Sequence, residues 1–152
     1  MSVTSSIHPT GSYLTPSLDH ATVADAMHPG VLACAPDAPL ADVARMMASH
    51  HVHCVAVLGV ARDQTGESLA WGLITDVDVV NAGLSPGGDA TARTLARHGI
   101  VTVEPATPLR SAAELMLGSG TTHILVVEPR AQQPVGVLST LDVAGVLAWG
   151  EA

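Results

Sequence analysis

Hydrophobic and polar positions alternate between two periods along this chain, and the same order of periods occurs twice. Val31-Leu32-Ala33-Cys34-Ala35 reads as a strand, and Pro36-Asp37-Ala38-Pro39 turns the chain. Leu40, Val43, Ala44, Met46 and Met47 then place an apolar stripe at helical spacing on a segment ending near Ser49-His50. Val52 to Val60 predicts a second strand, Arg62 to Glu67 a polar hairpin loop, and Leu69 to Ile74 the returning strand. Before all of these, Val23 to Met27 predicts a short helical turn stopped by Pro29-Gly30.

At a shift of 69, Pro36 falls on Pro105, Pro39 on Pro108, Leu40 on Leu109, Ala44 on Ala113, Met47 on Met116 and Val57 on Val126. Gly72 falls on Gly136 at a shift of 64, so the first hairpin is longer by five residues. The pattern predicts an α/β (α+β) chain of two β-α-β-β-α units, over residues 21–82 and 91–150, joined by a turn-rich linker at 83–90. Each unit is too small to bury both faces of its sheet, so the two pack together with pseudo-two-fold symmetry. The apolar stripes on Leu40 to Met47 and Leu109 to Leu117 exceed what one unit can bury, which predicts a homodimer through the helical faces. Ser, Thr, Pro and Gly dominate residues 1–20, which reads as a flexible or partner-dependent arm.

The most informative stretch is Gly72-Leu73-Ile74-Thr75-Asp76-Val77-Asp78, repeated as Gly136-Val137-Leu138-Ser139-Thr140-Leu141-Asp142. A hydroxyl residue with an acid three places on is a capping box, placed where a strand runs into a helix. A helix start above a strand end is also a place for an anion. Thr75 or Ser139 would stand at that place, and Asp78 or Asp142 would bring a carboxylate able to accept two hydrogen bonds from a diol such as a ribose. Hydroxyl and carboxylate together are nucleotide-shaped.

Composition removes other functions. Six Arg, no Lys and fourteen acids give a net charge of −8, and aromatics are 2% of the chain, so it is poorly equipped to hold nucleic acid. The longest apolar run is too short for a membrane span, and the first residues do not read as a signal peptide, so a cytoplasmic protein is expected. Cys34 and Cys54 lie in strand-like apolar segments and read as small core residues. His50-His51-Val52-His53-Cys54 invites a metal reading, but alternation along a strand would leave only His51 and His53 on one face, fewer ligands than a zinc site uses. No metal and no catalytic site is expected.

The order of short helix, strand with a following proline, helix with a methionine near its end, hairpin, and glycine-led strand into a hydroxyl–x–x–Asp start resembles the cystathionine β-synthase (CBS) domain. The duplicate, over about residues 22–148, resembles a Bateman module, the tandem CBS pair. The resemblance implies a regulatory rather than enzymatic protein that binds an adenosine-containing ligand in the clefts between units and acts on a separate protein partner. An adenine nucleotide or adenosyl compound is implied as regulatory ligand, with no further cofactor. It implies that Thr75 or Ser139 meets phosphate, Asp78 or Asp142 meets the ribose, and adenine lies near Cys34-Ala35 or Thr102-Val103. Where the family often has basic residues before its second strand, this chain has His53 and Cys54 in one unit and Thr122 and His123 in the other. That substitution favours AMP over ATP, and the added polar groups Thr102 and His123 favour the Ser139/Asp142 cleft. A ligand-free interaction module with degenerate clefts is the alternative.

Overall fold

The computed structural model describes residues 15–62, 69–86, 89–96, 100 and 102–151. In the first unit, β2 (Ala33–Cys34) runs parallel to β3 (Cys54–Arg62), which pairs antiparallel with β4 (Leu69–Thr75). Helix α2 (Leu40–His50) connects β2 to β3, and α3 (Asp76–Leu84) follows β4. The second unit repeats this with β5 (Thr102–Val103), α5 (Leu109–Ser119), β6 (His123–Glu128), β7 (Gln133–Ser139) and α6 (Thr140–Trp149). Register repeats with topology: Cys54 stands opposite Thr75, and His123 opposite Ser139. The repeated prolines set the long helices, because Pro39 and Pro108 are the N-caps of α2 and α5 and lack the N–H that an N-terminal turn leaves without a partner. Both helices end on a left-handed residue, Gly120 in α5 and His51 in α2.

His51 thereby alters one expectation. It caps a helix with φ 53° instead of opening a strand, so β3 begins at Cys54 and the predicted His51/His53 strand face does not form. The first strand is likewise shorter than Val31 to Ala35. The predicted linker is partly helical, since α3 runs through Gly83 to Leu84. Residues 15–20 of the predicted arm are held: Asp19 accepts hydrogen bonds from the Arg110 guanidinium at 2.6 and 2.9 Å, and Leu18 packs against the core. Most of the first hairpin's predicted loop, 63–68, lies outside the described residues.

The units exchange their leading segments. Helix α1 (Val23–Ala26) stands ahead of the first unit in sequence, yet Ala21 and Val23 are buried with Val103, Leu109, Met116 and Leu138 of the second. The backbone fixes the swap, with Val23 N–H donating to Thr107 O and Leu109 N–H to Ala21 O. Reciprocally, α4 (Ala92–Leu95) precedes the second unit but supplies Ala92 to a core of Val43, Met47, Val55, Val57 and Ile74. After α1, β1 (His28–Pro29) adds an antiparallel edge to β7, so the second unit's sheet has the order β1-β7-β6-β5. Gly136 makes that edge feasible: a Cβ there would lie 2.5 Å from His28 O and 2.9 Å from Met27 Sδ. The two sheets then face each other through Cys54, Ala56 and Leu73 against Leu125 and Val127. Among the described residues no helix is long and apolar enough to cross a membrane.

Candidate functional site

Both predicted capping boxes form. Thr75 N–H and Oγ1–H donate to Asp78 Oδ2 at 2.8 and 3.0 Å, and Asp78 N–H donates back to Thr75 Oγ1 at 3.3 Å. Ser139 N–H donates to Asp142 Oδ2 at 2.8 Å, and Asp142 N–H to Ser139 Oγ at 3.1 Å. A box alone marks no site, since Thr22 with Asp25 and Thr91 with Thr94 build the same motif on α1 and α4. What distinguishes Ser139 and Asp142 is the space above them.

A cleft of about 770 Å³ opens there, of a size that accommodates a nucleotide. Ser139, Leu141 and Asp142 form its floor, Gly30, Val31 and Leu32 border it from the exchanged segment, and Val137 and Cys54 contribute from the sheets. Five of the chain's eight histidines line it: His28, His50, His51, His53 and His123. Asp142 is divided between two tasks. Its Oδ2 caps the helix, and its Oδ1 accepts from His28 Nδ1–H at 3.0 Å, with the carboxylate side chain only 7% exposed. The same oxygen is the acceptor that a diol would use.

Electrostatics in the cleft centre on two imidazoles that approach from different units. The His53 and His123 ring centroids are 6.0 Å apart. His53 Nδ1–H donates to Asp76 Oδ2 at 2.9 Å, and this bond, helped by Val77 N–H on the other carboxylate oxygen, holds Asp76 below the usual carboxylate range. Burial pushes His123 below the ordinary imidazole range, and its neighbour His53 adds to this while Asp76 and Asp142 oppose it. Burial, with some repulsion from Asp76, raises the Cys54 thiol to about 11, so it is a protonated core residue and not a thiolate nucleophile. Cys34 is raised by burial as well. Among the described residues, no group of three or more His, Cys, Asp or Glu is placed to hold a metal ion.

The sequence pattern that defines the CBS domain matches this chain twice, at residues 23–85 and 92–148. The chain belongs to the CBS domain family. Solved CBS structures share its fold. The CBS domain pair of protein MJ0100, in complex with 5′-methylthioadenosine and S-adenosyl-L-methionine, is 17% identical with a TM-score of 0.69, over 84% of this chain and 96% of that one. CBSX2 in complex with AMP is 21% identical with a TM-score of 0.63, over 84% and 96%. Hypoxic Response Protein I with two coordinated zinc ions is 26% identical with a TM-score of 0.62, over 82% and 98%. No curated protein matches the chain in sequence.

Within this CBS pair, the cleft gathers Ser139, Asp142, His53 and His123 of the expected ligand-binding residues, with His50, His51 and Cys54 of the histidine-rich stretch, but not Thr75, Asp78, Cys34, Ala35, Thr102 or Val103. Thr75 and Asp78 stand at the start of α3, outside it. Thr102 and Val103 form the edge strand β5, with Val103 in the second unit's core. Cys34 packs against the first unit's core, and Ala35 follows it. The stretch bordering the cleft is instead Gly30 to Leu32, just before β2, where Leu32 O accepts from Ala56 N–H. His28 was not singled out, because its position depends on β1 crossing to the other unit's sheet and no local pattern records that crossing. A second cavity of about 410 Å³ lies between α2 and α3, lined by Met47, Val52, Asp76 and Val79 among others.

Proposed function

We propose that this CBS pair is a regulatory module that binds an adenosine-containing ligand in the Ser139/Asp142 cleft and signals to a separate protein partner. The carrying observation is the coincidence, in one nucleotide-sized cleft, of a helix start with its hydroxyl cap and a largely buried carboxylate whose outer oxygen can accept from a diol. Ser139 and the α6 start would face phosphate, Asp142 the ribose, and Val31, Leu32 and Val137 the flat adenine. His28 would yield Asp142 Oδ1 to the ribose. The complexes of MJ0100 with adenosyl compounds and of CBSX2 with AMP support the ligand class. The Thr75/Asp78 box, with Thr102 and Val103 or Cys34 and Ala35 nearer the adenine, is the weaker second position in this reading.

Among the described residues, no arginine lines the cleft. Two of the six are paired elsewhere, Arg45 with Asp42 and Arg110 with Asp19. Each phosphate beyond the first lacks a fixed countercharge, so affinity is expected to fall from AMP or an adenosyl compound to ADP to ATP. Thermal unfolding with adenosine, AMP, ADP, ATP and S-adenosylmethionine tests this, because a ligand bound only by the folded state raises its stability by mass action. No shift with any of the five would remove the nucleotide reading and leave the ligand-free interaction module.

The same reading includes a homodimer through the helical faces. The α2 and α5 stripes spend Val43, Met47, Leu109, Ala112 and Met116 on their own cores. Among the described residues, the large apolar side chains left outside are Val77, Val80 and Leu84 on α3, Leu117 on α5, and Leu141, Leu147 and Trp149 on α6. Leu84 is 81% and Leu141 78% exposed, and large apolar side chains grouped on a surface mark an association face. Sedimentation is expected to give a dimer at micromolar concentration that Leu84→Glu with Leu147→Glu converts to monomer; a wild-type monomer would remove the dimer.

A further inference from the structure

Among the described residues the cleft's countercharge is histidine alone, and hydrogen bonding fixes the chemical state of three of these rings. His28 Nδ1–H donates to Asp142, His53 Nδ1–H to Asp76 and His50 Nδ1–H to Met46 O at 3.0 Å. Because a carboxylate or carbonyl oxygen only accepts, the Nδ1 proton of each of these rings is committed. In the neutral form Nε2 is then a bare lone pair, which offers a phosphate oxygen no hydrogen bond. Only the imidazolium presents a second N–H to an anion. While neutral, these three rings turn only lone pairs toward a phosphate, beside the Asp142 and Asp76 carboxylates, and leave the Ser139 hydroxyl and the α6 start to donate; a ring that takes up a proton adds a second N–H and a positive charge.

We propose that the cleft binds the anionic end of its ligand with proton uptake, His53 and His123 being the pair that takes up the proton. This rests on the nucleotide reading above and adds its regulation: occupancy is set by pH as well as by ligand concentration. His53 and His123 are the natural pair because their rings are 6.0 Å apart across the two units. Without an anion, charging one ring opposes charging the other. A phosphate placed near both turns that mutual repulsion into shared attraction. The ionisable groups around the pair are Asp76 from α3, Asp142 from α6, His50 and His51 from the end of α2, His28 from β1 and the Cys54 thiol of β3. Asp76 and Asp142 favour a charged His123 and its neighbour His53 disfavours it, while burial disfavours it most. The ring is thus kept neutral near pH 7 and becomes worth charging when an anion arrives.

The sign follows from linkage. A ligand that raises an imidazole's pKa binds more tightly as pH falls toward that pKa, by up to about tenfold per pH unit for each proton taken up. The experiment is calorimetric titration of the full chain with adenosine, AMP and adenosine 5′-sulfate at pH 8 and pH 6, at fixed ionic strength and in two buffers of different ionisation enthalpy. The sulfate ester keeps one negative charge throughout, whereas the second ionisation of AMP falls near pH 6. Affinity for the sulfate ester is expected to rise about tenfold or more from pH 8 to pH 6, with net proton uptake read from the buffer dependence. Adenosine is expected to change by less than about twofold. His53→Gln with His123→Gln is expected to flatten the sulfate-ester profile. Adenosine binding accompanied by a pH-independent sulfate ester would overturn proton coupling while leaving the nucleotide reading standing, and a profile unchanged in the double variant would overturn the assignment to this pair. Binding of none of the three would overturn both readings.

Discussion

Replacing Asp142 by alanine is expected to reduce nucleotide affinity by roughly 100-fold, whereas Asp78→Ala is expected to weaken it much less. A charged acceptor contributes about 1.5–3 kcal/mol per hydrogen bond. Two bonds to a ribose diol, offset by the His28 contact that they displace, come to roughly 3 kcal/mol, or about 100-fold. The alanine variant also loses the Ser139 N–H bond at 2.8 Å and with it a helix cap, a stability effect of about 1 kcal/mol. Asp142→Asn separates the two effects. Its amide oxygen still caps the helix, so thermal stability should stay near wild type while the loss of the charged acceptor weakens binding. Calorimetry on both variants and on Asp78→Ala checks the ranking, and a larger loss from Asp78→Ala would move the principal site to the first unit.

Val23→Asp should abolish most of the stability of the fold, by roughly 4 kcal/mol or more, although it changes a residue in a four-residue helix near the N-terminal end. Val23 is fully buried and packs in the second unit's core beside Leu109 and Met116. The described residues of that core are all apolar, and an unpaired buried charge is among the few single changes that cost this much. Ala24→Asp, at the exposed neighbouring position on α1, is the matched control and should shift unfolding by less than about 1 kcal/mol. Urea unfolding of the two variants reads the difference. Near-equal midpoints would mean that α1 does not complete the second core.

The two results bear on one architecture. The exchange that buries Val23 also carries β1 onto β7, and β1 brings His28 to Asp142 and Gly30 to Leu32 to the mouth of the cleft. Stability of the N-terminal segment and ligand binding at the C-terminal helix are therefore physically connected. A change at Val23 or Gly136 would reach the site through His28, and ligand binding would in turn act on the segment that leads into the first unit.

The repeat in the sequence determined the two units, the succession of elements within each and the two helix starts, because those features are local: proline fixes where a helix begins, alternation fixes a strand face, and a hydroxyl with an acid three places on satisfies its own N–H groups. The capping pairs Thr75/Asp78 and Ser139/Asp142 were legible for that reason. Tertiary structure decided which core α1 and α4 complete, since a four-residue apolar face such as that of Val23 carries too little pattern to distinguish two similar cores. It also decided that Gly30 to Leu32, not Cys34 and Ala35, border the cleft, that His28 meets Asp142, and that five histidines scattered over residues 28 to 123 converge on one cleft. Convergence of that kind depends on strand crossings between distant segments, and it is these long-range pairings that leave no period in the sequence.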